Sequence, residues 1–375
     1  MMRRLAQFVA ALLLALAGVV AWLYLRPNAA RVDARLGLQH WVVISDGEHN
    51  SNTDLILYQG EFLLAHAASP YHLGTPESRL LIKRSADARS WETLATLQVE
   101  GMDIRDPKLA VIAGRLFLYA LPNNSVQATP EYTVYATSND GGRSWSAFQP
   151  LANPGWLFWR PKTRDGRVWY VSAYWHDHGA SILLRSSDGV SWSEVAQLYE
   201  GEANDETAIE FLPDGRMLAT ARLEVTADSF LGHPDASTML MTAPPPYTQW
   251  TRTRSRVTRL DGPILFRHAG RVFAVARYQP NQSGPFSHPA SVLARKRTSL
   301  FRLEPDRIVW LSDLPSAGDT AYAGVVLHEG ALWVEWYTSR VDRDWPWLLG
   351  MFLPSEIRMG RIPLDALTAL SDATP

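Results

Sequence analysis

The sequence predicts an all-β fold, a six-bladed β-propeller preceded by one N-terminal transmembrane helix. Three observations lead there: a sixfold hairpin repeat marked by glycine, a chain length that six blades fill, and one long apolar stretch at the start of the chain.

The repeat comes first. A short strand, a turn with Gly and a second apolar strand recur as DLILYQGEFLLA, PKLAVIAGRLFLYA, PKTRDGRVWYVSA, AIEFLPDGRMLATA, PILFRHAGRVFAVA and GVVLHEGALWVEW. The turn glycines are Gly60, Gly114, Gly166, Gly215, Gly270 and Gly330. Glycine suits a tight hairpin because it takes positive φ without a Cβ clash. The flanking residues alternate or run apolar over four to six positions, which is strand and not helix behaviour. A multi-stranded repeat of about 50 residues is the size of a propeller blade, so six fill the chain from about residue 38 to 362.

The N-terminus differs in kind. Arg3 and Arg4 precede an apolar run from Leu5 to Leu25, broken by Gln7 and closed by Arg26-Pro27. A helix of that length rises about 30 Å, the thickness of a hydrocarbon core. A cleaved signal peptide has a shorter apolar part and a small-residue cleavage site, so residues 1–26 are read as a membrane anchor, with a signal peptide as the alternative. The leading arginines place the N-terminus in the cytoplasm and the body on the extracytoplasmic, periplasmic side. Residues 27–37 read as a tether, 38–365 as the propeller and 366–375 as a tail. The unpaired segment LQHWVVIS (38–45) is expected to pair near residues 346–362 and close the ring.

Composition narrows the classes. The chain has 375 residues, 46% hydrophobic and 20% charged, with a net charge of −2, so nothing global favours nucleic acid. It has no cysteine, so the core holds the fold without disulfides. Fifteen Trp and thirteen Tyr suit a β-rich core and sugar-stacking surfaces. A monomer with a carbohydrate ligand, no cofactor and no metal is expected. His176-Asp177-His178 has metal-ligand spacing on a strand, but no third ligand cluster accompanies it, and a loop is its blander home.

A second element sits late in three repeats: SADARSW (85–91), SNDGGRSW (138–145) and SSDGVSW (186–192). Asp and Ser there can bond their own turn's amides while Trp packs between strands. TAPPPYTQW (242–250) looks like a degenerate copy. These motifs resemble the Asp-box of the sialidase-like propeller superfamily, although the first copy lacks the usual Gly. In such a fold the innermost strand of each blade starts at the axis. That position holds His49 to Asp54, Arg105-Asp106, Trp159-Arg160, Asp205-Glu206, Asp261, and Asp319 with Tyr322.

The resemblance then becomes residue-specific. NDETAIEFLPDGRMLATAR is similar to the sialidase segment that carries a carboxylate and an arginine, which implies Glu206 as activator of a tyrosine and Arg222 as a substrate-carboxylate arginine. SHPASVLARKRTSLFRLEP resembles the stretch with another such arginine, best matched by Arg297, with Arg295 beside it. GDTAYAGVVLHEGALW resembles the segment of the nucleophilic tyrosine, here Tyr322. A phenol with pKa near 10 needs a neighbouring carboxylate to take its proton, and a neutral nucleophile suits an anionic substrate. Arg277 ends its strand as Arg222 does, either as a further pocket cation or as a structural partner for an acid.

Two departures separate this chain from a standard sialidase. The arginine expected at the start of the first blade is replaced by Asn50-Ser51-Asn52-Thr53-Asp54, for which Arg105 could substitute. Between the first hairpin and its Asp-box, where the sialidase acid lies, stand His72 and Glu77. Asp106, fixed by Pro107, is then the better-placed general acid. The whole is closest to sialidase-like glycosidases with RDPKL and LPSxGDTxY motifs. Tyr322, Glu206 and Asp106 are the expected catalytic residues. Arg105, Arg160, Arg222, Arg277, Arg297, Asp319, His49 and Trp159 are the expected substrate contacts. The expected activity is a glycosidase acting on an extracytoplasmic glycan; a non-catalytic carbohydrate-binding propeller and a polysaccharide lyase are the alternatives.

Overall fold

The computed structural model describes residues 2–25, 29–124, 126–127, 129–226, 232–280 and 288–375, with the backbone alone at 2, 20 and 23–25. The strands form β-propeller blades. Four hydrogen-bonded sheets of four or five strands are separate, and a fifth sheet has eight. In order of sequence the separate sheets begin with the strands Asp103–Ile112, Trp156–Phe158, Asn204–Phe211 and Asp261–His268. The six separate sheets expected from the repeat are therefore not what the hydrogen bonds show. The eight-stranded sheet joins the strands from His49–Tyr58 to Glu92–Leu97 with those from Thr320–His328 to Ser355–Pro363. One parallel pair, His49 with Ser355, makes that junction.

Both chain ends meet in this sheet. Gln39–Ile44 pairs antiparallel with Ser355–Pro363, the closure expected of segment 38–45. Pairing the first strand with the last covers the open side of Ser355–Pro363 and ties distant segments together.

Each hairpin turn follows the backbone logic of its glycine. Gln59-Gly60, Ala113-Gly114, Ala269-Gly270 and Glu329-Gly330 all have positive φ at both residues, the twist that a two-residue hairpin needs. The Asp-boxes bond as their residue types predict. Asp188 Oδ1 accepts from the amides of Val190 (2.8 Å) and Ser191 (2.7 Å), and Trp192 Nε1 donates to the Gly189 carbonyl at 3.0 Å. The degenerate copy keeps the last of these, with Trp250 Nε1 donating to the Tyr247 carbonyl. In the first box Trp41, from the N-terminal strand, donates instead to Ala88 O.

The core lies between the faces of neighbouring sheets. Phe117, Tyr119, Phe158, Val171 and Trp192 form one such layer, with Trp192 edge-on to Phe158 and Tyr119. The segments expected as tether and tail are docked. Arg31 donates to Tyr278 and Asp313, and Leu36 is buried. Leu364–Ala373 is a helix whose Leu367 and Leu370 pack with Leu36 and Trp336.

The N-terminal apolar run is a helix, Met2–Leu25. Among the described residues no helix is long and apolar enough to cross a membrane. The transmembrane element expected at residues 1–26 is thus not found there; Met1 and Arg26, its ends, lie outside the described residues.

Candidate active site

The site is built by one backbone device used repeatedly. The inner strand of a blade pairs with its neighbour in regular register until the pairing slips near the axis. The slips fall between Ser51 and Asp54, Arg105 and Lys108, Asp205 and Ala208, Asp261 and Ile264, and Ala321 and Gly324. Inside each slip one residue is left-handed: Asn52 (φ 48°), Asp106 (53°), Glu206 (35°), Gly262 (58°) and Tyr322 (44°). Such bulges re-aim a side chain at the end of a strand. Only glycine takes this conformation freely; each of the other four stores roughly 1–3 kcal/mol of strain. Asp106, Glu206 and Tyr322, the three catalytic residues expected from sequence, all sit on these bulges. In the sheet that begins at Trp156–Phe158, Trp159-Arg160-Pro161 fills the gap between that strand and Lys162–Thr163.

Asp106, Glu206 and Tyr322 line a cavity of about 330 Å³ together with Asn52, His72, Arg105, Tyr174, Asp205, Arg222, Glu224, Arg259, Arg277 and Trp347. A larger hollow of about 740 Å³ lies to one side, lined by Tyr132, Phe148 and Trp175 among prolines and aliphatics. It carries Glu131 and His176 but no arginine, whereas the axial cavity gathers carboxylates, arginines and a tyrosine and is the candidate site.

At the floor of the cavity the Tyr322 hydroxyl donates to Glu206 Oε1. Glu206 Oε2 accepts the Gly262 amide at 2.7 Å and faces Arg222 at 2.9 Å. Burial pushes the Glu206 carboxyl above the ordinary glutamate range; Arg222 opposes this without cancelling it. Burial, followed by the Glu206 and Asp106 carboxylates, holds the Tyr322 phenol well above its usual value. The proton therefore rests on the phenol, beside a carboxylate primed to take it.

Around this pair runs a lattice of opposite charges. Arg222 bonds both oxygens of Asp205, its partner across the strand pair, and reaches Glu224 at 3.2 Å. Asp261 holds Arg259 through two hydrogen bonds and Arg277 at 3.0 Å. Burial works to raise Asp261, but Arg259, Arg277 and Arg222 outweigh it and hold this carboxyl well below its usual range. Arg277 lies under the Trp347 ring, 4.2 Å from its centre. Asp106 accepts from Asn52 at 2.6 Å. Lys108 stands 3.9 Å from Asp106 and 4.8 Å from the Trp159 ring, and burial pushes its ammonium down to about 8.

The structure brings most of the expected residues together. Tyr322, Glu206, Asp106, Arg105, Arg222 and Arg277 line the cavity. The others do not. Arg297 is buried against Asp344, so the cavity cation of that blade is Arg277. Arg160 is spent on Asp54 and the carbonyls of Thr53 and Ala323, in the core below the site. Trp159 donates to Pro263 O and is 1% exposed, which leaves no face for a sugar. His49 and Asp319 lie behind the wall, in contact with each other. Sequence reasoning placed Asn52 only within the axial run 49–54, without singling it out, and missed Glu224, Arg259 and Trp347 as cavity residues. The place of Asn52 could have been found by aligning Asp106 with the corresponding inner-strand position of the first repeat.

No protein-family profile and no curated protein sequence matches this chain. Solved structures do. A protein of unknown function from Dyadobacter fermentans superposes with a TM-score of 0.63 at 16% identity, covering 87% of this chain and 99% of that one. The Trypanosoma rangeli sialidase in complex with sialic acid gives 0.61 at 12% identity, covering 92% and 61%. A mutant NanB sialidase from Streptococcus pneumoniae gives 0.60 at 12%, covering 90% and 71%. This chain thus spans about three-fifths of the trypanosomal enzyme's length. At these identities the likeness is one of fold: the chain is a β-propeller similar in architecture to the sialidases.

Proposed function

We propose that this protein is a glycoside hydrolase of sialidase-like fold, in which Tyr322 is the nucleophile, Glu206 its activating base and Asp106 the general acid. The observation that carries this reading is the hydrogen bond from the Tyr322 phenol to Glu206, with both residues on strained bulges at the floor of a polar cavity. Backbone strain concentrated at converging ionisable residues is the usual mark of a site held for function. In the mechanism Glu206 takes the phenolic proton as the oxygen attacks the anomeric carbon, and Asp106 protonates the departing oxygen. Arg277 and Arg105 would hold the sugar's anionic or hydroxyl groups.

In our reading the eight-stranded sheet is two blades joined at the single His49–Ser355 pair, which gives six blades in all and matches the sixfold repeat. The glycan would lie outside the cytoplasm, a location supported by the apolar run after Arg3 and Arg4. The protein would act as a monomer.

A non-catalytic, glycan-binding propeller is favoured by one observation. Arg222 directs its nitrogens at four carboxylates, those of Asp205, Glu206, Glu224 and Asp261, and is poorly disposed to clamp a substrate carboxylate. Residues 38–375, incubated with a panel of aryl glycosides that includes sialic acid and uronates, decide between the two. Release of the aryl group by wild type and its loss in Tyr322→Phe support the hydrolase. A sugar that binds and persists unchanged supports the binding module. An unsaturated, ultraviolet-absorbing product would mark a lyase instead.

A further inference from the structure

We propose that His49, His72 and Asp319 form a binding site for one divalent transition-metal ion at the wall of the axial cavity. The inference goes beyond the glycosidase reading and does not depend on it.

Three potential ligand atoms converge. His72 Nδ1 lies 2.7 Å and His49 Nε2 3.1 Å from Asp319 Oδ2, and the three atoms fall within 4.8 Å of one another. His49 and Asp319 are fully buried. Both imidazoles press on one carboxylate oxygen at these separations, and none of the three atoms has a hydrogen-bond partner of full geometry. Two nitrogens crowded against one carboxylate oxygen fit ligands arranged around a common centre. A metal about 2.1 Å from each atom would see neighbouring donors separated by such distances.

The surroundings fix each ligand as metal sites require. His49 Nδ1 contacts the Leu353 carbonyl at 2.8 Å, a contact that holds the ring with Nε2 on the Asp319 side. The other oxygen of Asp319 is occupied: Trp347 Nε1 donates to Oδ1 at 2.8 Å and the Tyr337 hydroxyl at 3.1 Å, with Arg277 at 3.5 Å. Oδ2 is thereby left for the ion. Two imidazoles and one carboxylate suit zinc, iron, cobalt or manganese, and disfavour the oxygen-only preference of calcium and magnesium. His72 lines the cavity, so the ion's remaining positions would open toward the ligand space.

The test uses tag-free protein freed of metal by a chelator and titrated with Zn²⁺ by calorimetry, and with Co²⁺ followed by its visible d–d absorption. One equivalent should bind with a Kd in the micromolar range or tighter. His72→Gln, checked for folding by its thermal melt, should weaken binding at least tenfold. X-ray absorption at the zinc edge on wild-type protein should count two imidazoles, and this holds even if the variant does not fold. No binding by wild type, binding unaltered in a folded His72→Gln variant, or a zinc shell without two imidazoles would overturn the proposal.

Discussion

The Tyr322 hydroxyl and the Glu206 carboxylate meet in a hydrogen bond although 116 residues separate them in sequence. The contact is made by two bulges at equivalent places in different blades, and the same phenol ring is flanked by Trp159 and Tyr337. Replacing Tyr322 by Phe removes one oxygen from a packed site. It should lower kcat by about 10²–10⁴, a range typical of a lost catalytic group, while Tm changes by no more than a few degrees. Steady-state kinetics on the preferred aryl glycoside, paired with a thermal melt, checks both.

Glu206 sets the acid side of the pH profile. Its pKa is raised by burial, so the carboxylate that must take the phenolic proton is lost as pH falls while still above the ordinary glutamate value of 4.5. The acid limb of kcat/KM should therefore lie above pH 4.5. Glu206→Gln should remove that limb along with most of the activity.

Asp106 as general acid makes a leaving-group prediction. Asp106→Asn should cost about 10²–10⁴ in kcat on a substrate with a poor alkoxide leaving group. On an activated aryl glycoside, which departs without a proton, it should cost far less. Equal losses on both substrates would remove Asp106 from that role.

Glu335 gives a stability prediction away from the chemistry. Burial is the chief cause that pushes its carboxyl up to about 8. Between pH 4.5 and 8 the unfolded chain ionises this group while the folded chain keeps the proton, so stability falls as pH rises through that window. Glu335→Gln should remove the penalty. Its Tm should exceed wild type at pH 8, and the gap should close toward pH 4.5; chemical denaturation at the two pH values measures it.

Arg222 is half of a buried charge lattice, and truncating one partner strands the others. Arg222→Ala should destabilise the protein by about 3–5 kcal/mol, read from urea unfolding. Asp188→Ala, which removes only the local turn bonds of an outer Asp-box, should cost about 1 kcal/mol and leave turnover unchanged.

What the sequence showed and what it hid follow from the kind of constraint involved. The hairpin turns were legible because Gly60, Gly114, Gly270 and Gly330 sit where positive φ is required, and the Asp-boxes because their bonds are local. The ring closure was legible from the apolar segment 38–45, which had no neighbour in sequence. The bulges were not. Four of their five left-handed positions carry Asn, Asp, Glu or Tyr, so no glycine marks them, and Gly262 alone gave the signal. Arg297 was preferred over Arg277 for the clamp because motif likeness cannot tell on which side of a strand a residue lies. The pairing of Asp261 with Arg277 repeats that of Asp205 with Arg222 and brings Arg277, not Arg297, to the cavity. The contact of His49 with Asp319 joins two ends of the repeat array and has no local sign.

The most direct test of Tyr322 as nucleophile is peptide mass mapping after the protein is incubated with a fluorinated glycosyl donor of whichever sugar it cleaves. The Tyr322 peptide should gain the mass of one fluoroglycosyl group, and Tyr322→Phe should gain none. A covalent sugar on any other residue, or turnover of that donor with no adduct in the quenched steady state, would contradict the assignment.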